Sequence, residues 1–226
     1  MSLERTIQLT CPKCSHAFEY TVWDSLNADL DPDTADRMIR GELFQTQCPH
    51  CGQALEPNYP LLYNDMSHGI MVQYTASNTK EDIKKYIEQF ESGSAKLKSL
   101  GIEIPLQTRI VTERVDLIEK AEIFRAGHDD RINGLMKVFI IGSLGHNGQT
   151  IPNALHFFVK NGEKLFAATQ ASGQLLGTVP FIEQMYAHLA ELTGFGDDEE
   201  EYLIDLEWAT NYFETHASAL GAQPKD

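Results

Sequence analysis

Cysteine is scarce in this 226-residue chain: there are four, all within two Cys-Pro-x-Cys tetrapeptides. No run approaches the roughly 18 consecutive apolar residues of a membrane span. Residues Met1 to Gln8 likewise carry no apolar stretch of the kind a secretory signal needs. Basic residues are few, 18 Lys and Arg against 33 Asp and Glu, for a formal charge of −15 and a sequence pI near 4.9. That excess of carboxylates excludes strong nonspecific attraction to nucleic acid or anionic lipid. Also absent are a low-complexity tract, an internal repeat, a His-Glu-x-x-His pair, a Walker lysine and a triad motif. The expectation is a soluble cytoplasmic protein with neither a nucleic-acid nor a membrane partner. Its oligomeric state leaves no mark on the sequence.

The cysteines that are present sit in Cys11-Pro12-Lys13-Cys14 and Cys48-Pro49-His50-Cys51-Gly52. Two residues between thiolates let a tight turn aim both sulfurs inward, so the two turns together supply four soft ligands. Proline after the first cysteine of each pair pre-sets the turn, and Gly52 allows a positive φ as the chain leaves it. Cys11, Cys14, Cys48 and Cys51 are therefore the candidate metal ligands. A four-thiolate site with no open position is structural, with zinc the expected ion and iron the less favoured one. The second knuckle is similar to half of a rubredoxin-like iron centre, although Ser15 stands where that likeness expects glycine after the first knuckle. Two other uses of the cysteines are weaker. Thiol redox chemistry wants its cysteine at a helix N-terminus, whereas Gly52, Pro57 and Pro60 follow here. Disulfides need an oxidising compartment.

Around the first knuckle, Thr6 to Thr10 and Phe18 to Trp23 alternate apolar and polar residues at period two, which predicts a hairpin. The 33 residues between the knuckles exceed a simple ribbon and leave room for a short helix over 31–41. Phe44 to Gln47 and Ala54 to Glu56 flank the second knuckle, and Pro60 to Tyr63 and Ile70 to Tyr74 read as further strands. This segment is acidic too, with four basic against ten acidic side chains up to Asn78.

The two Cys-Pro-x-Cys motifs, the Val22-Trp23 strand, Asp31-Pro32, Gly41-Glu42-Leu43-Phe44 and Leu61-Leu62-Tyr63-Asn64-Asp65-Met66 together resemble the bacterial CpXC family. The likeness runs from about Ile7 to Val138, taking in the Arg109 to Lys120 stretch and Asp129-Asp130-Arg131. It implies a metal-binding cysteine quartet and little else.

Beyond Asn78 helices take over. Ile83, Tyr86, Ile87, Phe90 and Leu97 fall at helical spacing between a cap at Asn78 or Thr79 and a stop at Gly101, as expected of an amphipathic helix lying on a shared core. Thr108 to Val111 is a short strand or turn. Val115, Ile118, Ala121 and Phe124 predict a second helix ending at Gly127. Ile132, Leu135, Met136, Phe139 and Ile140 predict a third that ends at Gly142 or Gly145. Leu155 to Lys160, Asn161-Gly162 and Lys164 to Thr169 form a strong hairpin signal, and Leu175 to Val179 adds a strand. Phe181, Met185, Leu189 and Leu192 outline one more helix. Leu203, Leu206, Thr210 and Phe213, widened by Ile204 and Trp208, outline the last, with acidic residues 197–201 at its N-terminus. Phe157, Phe166, Leu189 and Trp208 are expected to be inaccessible.

The fold class is thus α+β: a zinc-ribbon-like antiparallel β module with a helical insertion, a helical middle, and a C-terminal β-hairpin plus two helices. The division expected is 1–78 for the metal module and 79–226 for an α+β domain. Weaker chemical candidates have structural explanations. In Gly127-His128-Asp129-Asp130 the carboxylates suit a helix cap. Gly142 to Gly148 reads as a flexible loop. His50 is surplus to four cysteines and solvent-facing, and His16, His68, His156 and His188 are scattered. The function expected is a non-enzymatic protein-interaction module with an unidentified protein partner. The alternative is an enzyme whose catalytic groups lie in the helical or C-terminal part, with the metal stapling the fold.

Overall fold

The computed structural model describes residues 2–102, 106–196, 201–217 and 219–220. The chain divides into two compact units, Met1–Ala121 and Glu122–Asp226. Its architecture is mixed α+β, with strands first, helices in the middle, and a hairpin and two helices at the end.

In the first unit, β1 (Leu3–Thr10) and β2 (Ala17–Asn27) form an antiparallel ribbon joined by the first knuckle. Next come α1 (Pro32–Ile39), a 3-10 turn (Glu42–Phe44), and β3 (Thr46–Gln47) with β4 (Ala54–Leu55) around the second knuckle. The core sheet is completed by β5 (Leu61–Asp65), β6 (Ile70–Tyr74) and β7 (Gln107–Val111), in the order β1-β2-β5-β6-β7. Its β1–β2 and β5–β6 pairings are antiparallel, while β2–β5 and β6–β7 are parallel. Alternation sets the buried face: Leu61, Tyr63, Ile70 and Val72 are fully buried, with Val22 and Leu26 from β2.

The helix α2 (Lys80–Ser99) forms where expected. Thr79 caps it by accepting from the Asp82 amide at 3.2 Å, and the Asp82 carboxylate accepts from the Ser77 and Thr79 hydroxyls. Its apolar stripe, however, is only half-buried, and no residue of the helix is fully covered. Capping and good helix formers sustain this helix more than burial does.

The helix α3 (Arg114–Arg125) ends at a left-handed Gly127, and α4 (Asp130–His146) starts at once from Asp129, whose carboxylate accepts from the Arg131 amide. The buried stripe of α3 is Leu117, Ala121 and Phe124; Val115 is exposed and Ile118 half-buried. Gly142 to His146, read from sequence as loop, is the last turn of α4. Gly148 takes a positive φ there, and its amide and that of Gln149 close back on the Gly145 and Leu144 carbonyls. This capping pattern uses the glycine to terminate the helix rather than to loosen it.

In the second unit β8 (Ala154–Lys160), β9 (Glu163–Thr169) and β10 (Leu175–Pro180) make an antiparallel sheet in which Asn161 and Gly162, both at positive φ, form the hairpin turn. The helices α5 (Glu183–Thr193) and α6 (Leu206–His216) both pack on α4. Gly134 is required at the α4–α6 crossing, because a Cβ there would lie 3.1 Å from the Ala209 Cβ. Phe157, Phe166 and Leu189 are buried as expected, whereas Trp208 is half-exposed and stacks on Tyr212. Leu203 and Ile204 precede α6, which is capped by Asp205 at 2.8 Å from the Trp208 amide. Of the acidic run expected at that N-terminus, 197–200 lies outside the described residues and Glu201 lies before the helix. No helix among the described residues is long and apolar enough to cross a membrane.

Candidate metal centre

Both knuckles close by the same backbone device. In the first, the Cys11 amide donates to the His16 carbonyl and the Ser15 amide to the Cys11 carbonyl, each at 2.9 Å. In the second, the Cys48 amide donates to the Gln53 carbonyl and the Gly52 amide to the Cys48 carbonyl, again at 2.9 Å. The residue after the last cysteine of each is left-handed: Ser15 at φ 59° and Gly52 at φ 70°. Ser15 therefore does the work of a glycine at a steric cost of roughly 1–2 kcal/mol.

These matched turns bring Cys11, Cys14, Cys48 and Cys51 together, with all four sulfurs within 4.8 Å of one another. Cys11 Sγ lies 3.6 Å from Cys51 Sγ, and Cys14 Sγ 3.7 Å from Cys48 Sγ. A tetrahedron with metal–sulfur bonds of roughly 2.3 Å has sulfur–sulfur edges of about 3.8 Å, so the spacing fits a bound ion. It does not fit a disulfide, whose sulfurs are about 2.05 Å apart, and all four cysteines are free. Cys11 and Cys48 are buried, while Cys14 and Cys51 are half-exposed.

The thiols influence one another's ionisation. Burial pushes the Cys11 thiol up. Hydrogen bonds from the Cys14 and Lys13 backbone and from the Cys14 and Cys51 thiols outweigh that, leaving it lowered to about 7. For Cys14 the largest influence is a backbone hydrogen bond at His16, which lowers it. Burial and the thiols of Cys51, Cys11 and Cys48 overcome this and raise it to about 12. A cluster that resists full ionisation is the environment a divalent cation neutralises, since metal binding displaces the protons.

Packing behind the site fixes its two arms. The Leu43 carbonyl, in the 3-10 turn, accepts hydroxyl hydrogen bonds from Tyr20 on β2 at 2.6 Å and from Tyr59 at 2.7 Å. Burial pushes the pKa of both phenols up, keeping them neutral donors. Arg114 donates to the Phe44 carbonyl at 3.3 Å, lies 5.7 Å from the Phe44 ring centre, and pairs with Glu56 at 2.9 Å. The second knuckle is thereby tied to both β2 and α3.

His50 is exposed, as expected, and its ring stacks on that of His16 with centroids 5.3 Å apart. The pairing was not legible in the sequence, though each histidine lies within two residues of a cysteine. Cys48 sits between two short strands and not at a helix N-terminus, which leaves it without the feature thiol redox chemistry requires.

No curated protein and no solved structure matches this chain. A family model described as CpXC protein matches residues 9–137, more than half of the chain and the span that includes both knuckles. The chain belongs to the CpXC family.

Proposed function

We propose that Cys11, Cys14, Cys48 and Cys51 hold a structural zinc ion, and that the module they staple serves as a non-enzymatic docking surface for another protein in the reducing cytoplasm. The observation that carries the zinc reading is the sulfur spacing, 3.6 and 3.7 Å across the two knuckles, against the about 3.8 Å edge of a zinc tetrathiolate. Four thiolates leave no position for substrate, so the ion's role is to fix the arms. Support for docking comes from the surface those arms present. Open grooves of about 390 Å³ flank Gln45, one along Thr46, Ala54 and Leu55 and the other along Tyr20 and Trp23.

Metal content measured by X-ray fluorescence tests the first half: one zinc per chain, lost in Cys48→Ser, is expected. A red iron-loaded protein, or a folded protein with all thiols free, overturns it. A photo-crosslinker at Gln45 tests the second half, with a discrete protein adduct expected and none formed after chelation. The partner is not nucleic acid: affinity for DNA that falls steeply with salt would contradict the acidic charge balance.

A further inference from the structure

His128 stands apart from the metal centre, in the second unit, between the end of α3 and the cap of α4. Its amide donates to the Ile123 carbonyl at 3.1 Å, and its neighbour Asp129 caps α4, so its backbone is fixed on both sides. His128 is 8% exposed, and its ring stacks against both Phe181 at 4.6 Å and Tyr186 at 4.4 Å, with the Phe157 ring edge-on at 5.8 Å. Nε2 lies 3.1 Å from Lys164 Nζ, which itself donates to Glu183 at 2.7 Å, and Glu183 is 3.9 Å from Nε2. Nδ1 is buried without a hydrogen-bond partner.

This arrangement dictates the tautomer. An ammonium only donates, so Nε2 must offer a lone pair, and the ring proton resides on Nδ1. A second proton would have to sit on Nε2, facing the Lys164 ammonium. The contact would turn from hydrogen bond to like-charge repulsion, and Lys164 and His128 would compete for the one carboxylate in reach, Glu183.

Glu183 opens α5, whose N-terminus has no side-chain cap and whose one fully buried residue is Leu189. What holds that end is the Lys164–Glu183 pair, the Phe181 amide donating to the Lys164 carbonyl at 3.1 Å, and the Asp129 amide donating to the Tyr186 hydroxyl at 2.7 Å. Every one of these contacts adjoins the His128 ring. We propose that His128 is a proton-responsive clasp: neutral, it accepts from Lys164 and holds the head of α5 on β9, and on taking up a proton it expels Lys164 from Glu183 and loosens α5.

The charged and titratable groups around the ring are Lys164 from β9, Glu183 and the Tyr186 phenol from α5, and Asp129 and Asp130 from its own segment; β8 presents the Phe157 ring. Asp129 is engaged by Arg131 at 2.6 Å. Burial is the largest influence and lowers the imidazole's proton affinity, Lys164 lowers it further, and Glu183 raises it. With the folded value lowered, the unfolded or loosened state takes up the proton first. The stability contributed is therefore complete above the ordinary histidine range, near about 6.5, and is lost as pH falls through that range toward the folded value.

The test uses the full chain, following the His128 ring by NMR and amide exchange in α5 between about pH 7.5 and about pH 5. A neutral Nδ1-protonated ring is expected at the upper pH, with α5 amides losing protection relative to α4 on acidification, in step with the titration of the ring. His128→Phe, which keeps an aromatic ring in the slot, removes that fall, and Lys164→Met raises the midpoint of the His128 titration. An equal fall in His128→Phe, a His128 titration with α5 unmoved, or a ring that takes up no proton by about pH 5 would each overturn the proposal. Should His128→Phe fail to fold, the comparison of ring and α5 in the unsubstituted protein decides.

Discussion

Removing the metal, by chelation or by Cys48→Ser, should open the arms of the site and leave the sheet behind them closed. The arm of β1 and β2 that carries the first knuckle holds its apolar side chains Ile7, Leu9 and Phe18 only half-buried. At half the roughly 1.5–3 kcal/mol of a fully buried side chain, the three contribute about 2–4 kcal/mol together. The strands β3 and β4 are two residues long and have no independent stability. A structural zinc tetrathiolate adds on the order of 10 kcal/mol, so a zinc bound as proposed would dominate this end. At the other end Val22 and Leu26 of β2 are fully buried beside Leu61 and Tyr63, and none of them depends on the ion. Native-state hydrogen exchange is the assay. The amides of Cys11, Ser15, Cys48 and Gly52, each bonded across its knuckle, should lose at least about 4 kcal/mol of opening free energy. That is a thousandfold or so in protection, whereas amides of β5 and β6 should change by less than about tenfold. Unchanged protection at Cys48 and Gly52 in the metal-free protein would refute the reasoning, as would collapse of β5 and β6 along with them.

Ser15→Gly should stabilise the first knuckle by about 1 kcal/mol, since glycine takes the left-handed conformation without a Cβ clash; a raised urea midpoint is the check. Tyr59→Phe should cost about 1 kcal/mol, because Tyr20 still donates to the Leu43 carbonyl. The double substitution with Tyr20→Phe should cost more than the two single ones combined, since it strands a carbonyl, and a simple additive result would argue against the shared acceptor. Gly134→Ala should destabilise by about 1–3 kcal/mol through its 3.1 Å encounter with Ala209, while Gly142→Ala, with open space around it, should stabilise α4 by about 0.5–1 kcal/mol. Thermal unfolding of the two variants should move in opposite directions.

What proved legible in the sequence was whatever rests on neighbours. Cysteine spacing placed the four sulfurs, Asn161-Gly162 placed its hairpin, and Thr79 and Asp129 marked helix starts, because turn and cap geometry are decided within a few residues. The parallel β2–β5 and β6–β7 pairings are set by partners far along the chain, and period-two alternation carries no direction. The apolar stripe of α2 correctly announced a helix, but periodicity does not say how much of a stripe is covered. Gly142 and Gly145 read as loop because glycine is a turn-former on average, whereas the capping bonds at Gly148 show where the turn falls. Asp205 was passed over as a cap in favour of the larger acidic cluster upstream. Around His128 the local signal of a capped helix was right for Asp129, but it could not foresee rings from Phe157, Phe181 and Tyr186 converging on the neighbouring imidazole.

The two parallel pairings also set an order of assembly. The β5–β6 hairpin closes over the four residues Met66 to Gly69, a loop of the kind that forms in microseconds. By contrast β2 reaches β5 only across the crossover holding α1 and the second knuckle, and β7 reaches β6 only across the one holding α2. Loop-closure entropy delays such distant pairings. The hairpin is thus the expected nucleus of the first unit, and the cysteines, at the turn of the late-joining β1–β2 ribbon and between β3 and β4 of a separate two-stranded sheet, should meet only after the transition state. Metal should accordingly slow unfolding while leaving the refolding rate nearly untouched, so an ion held by the four thiolates would act as a latch on a finished sheet and not as the seed of it.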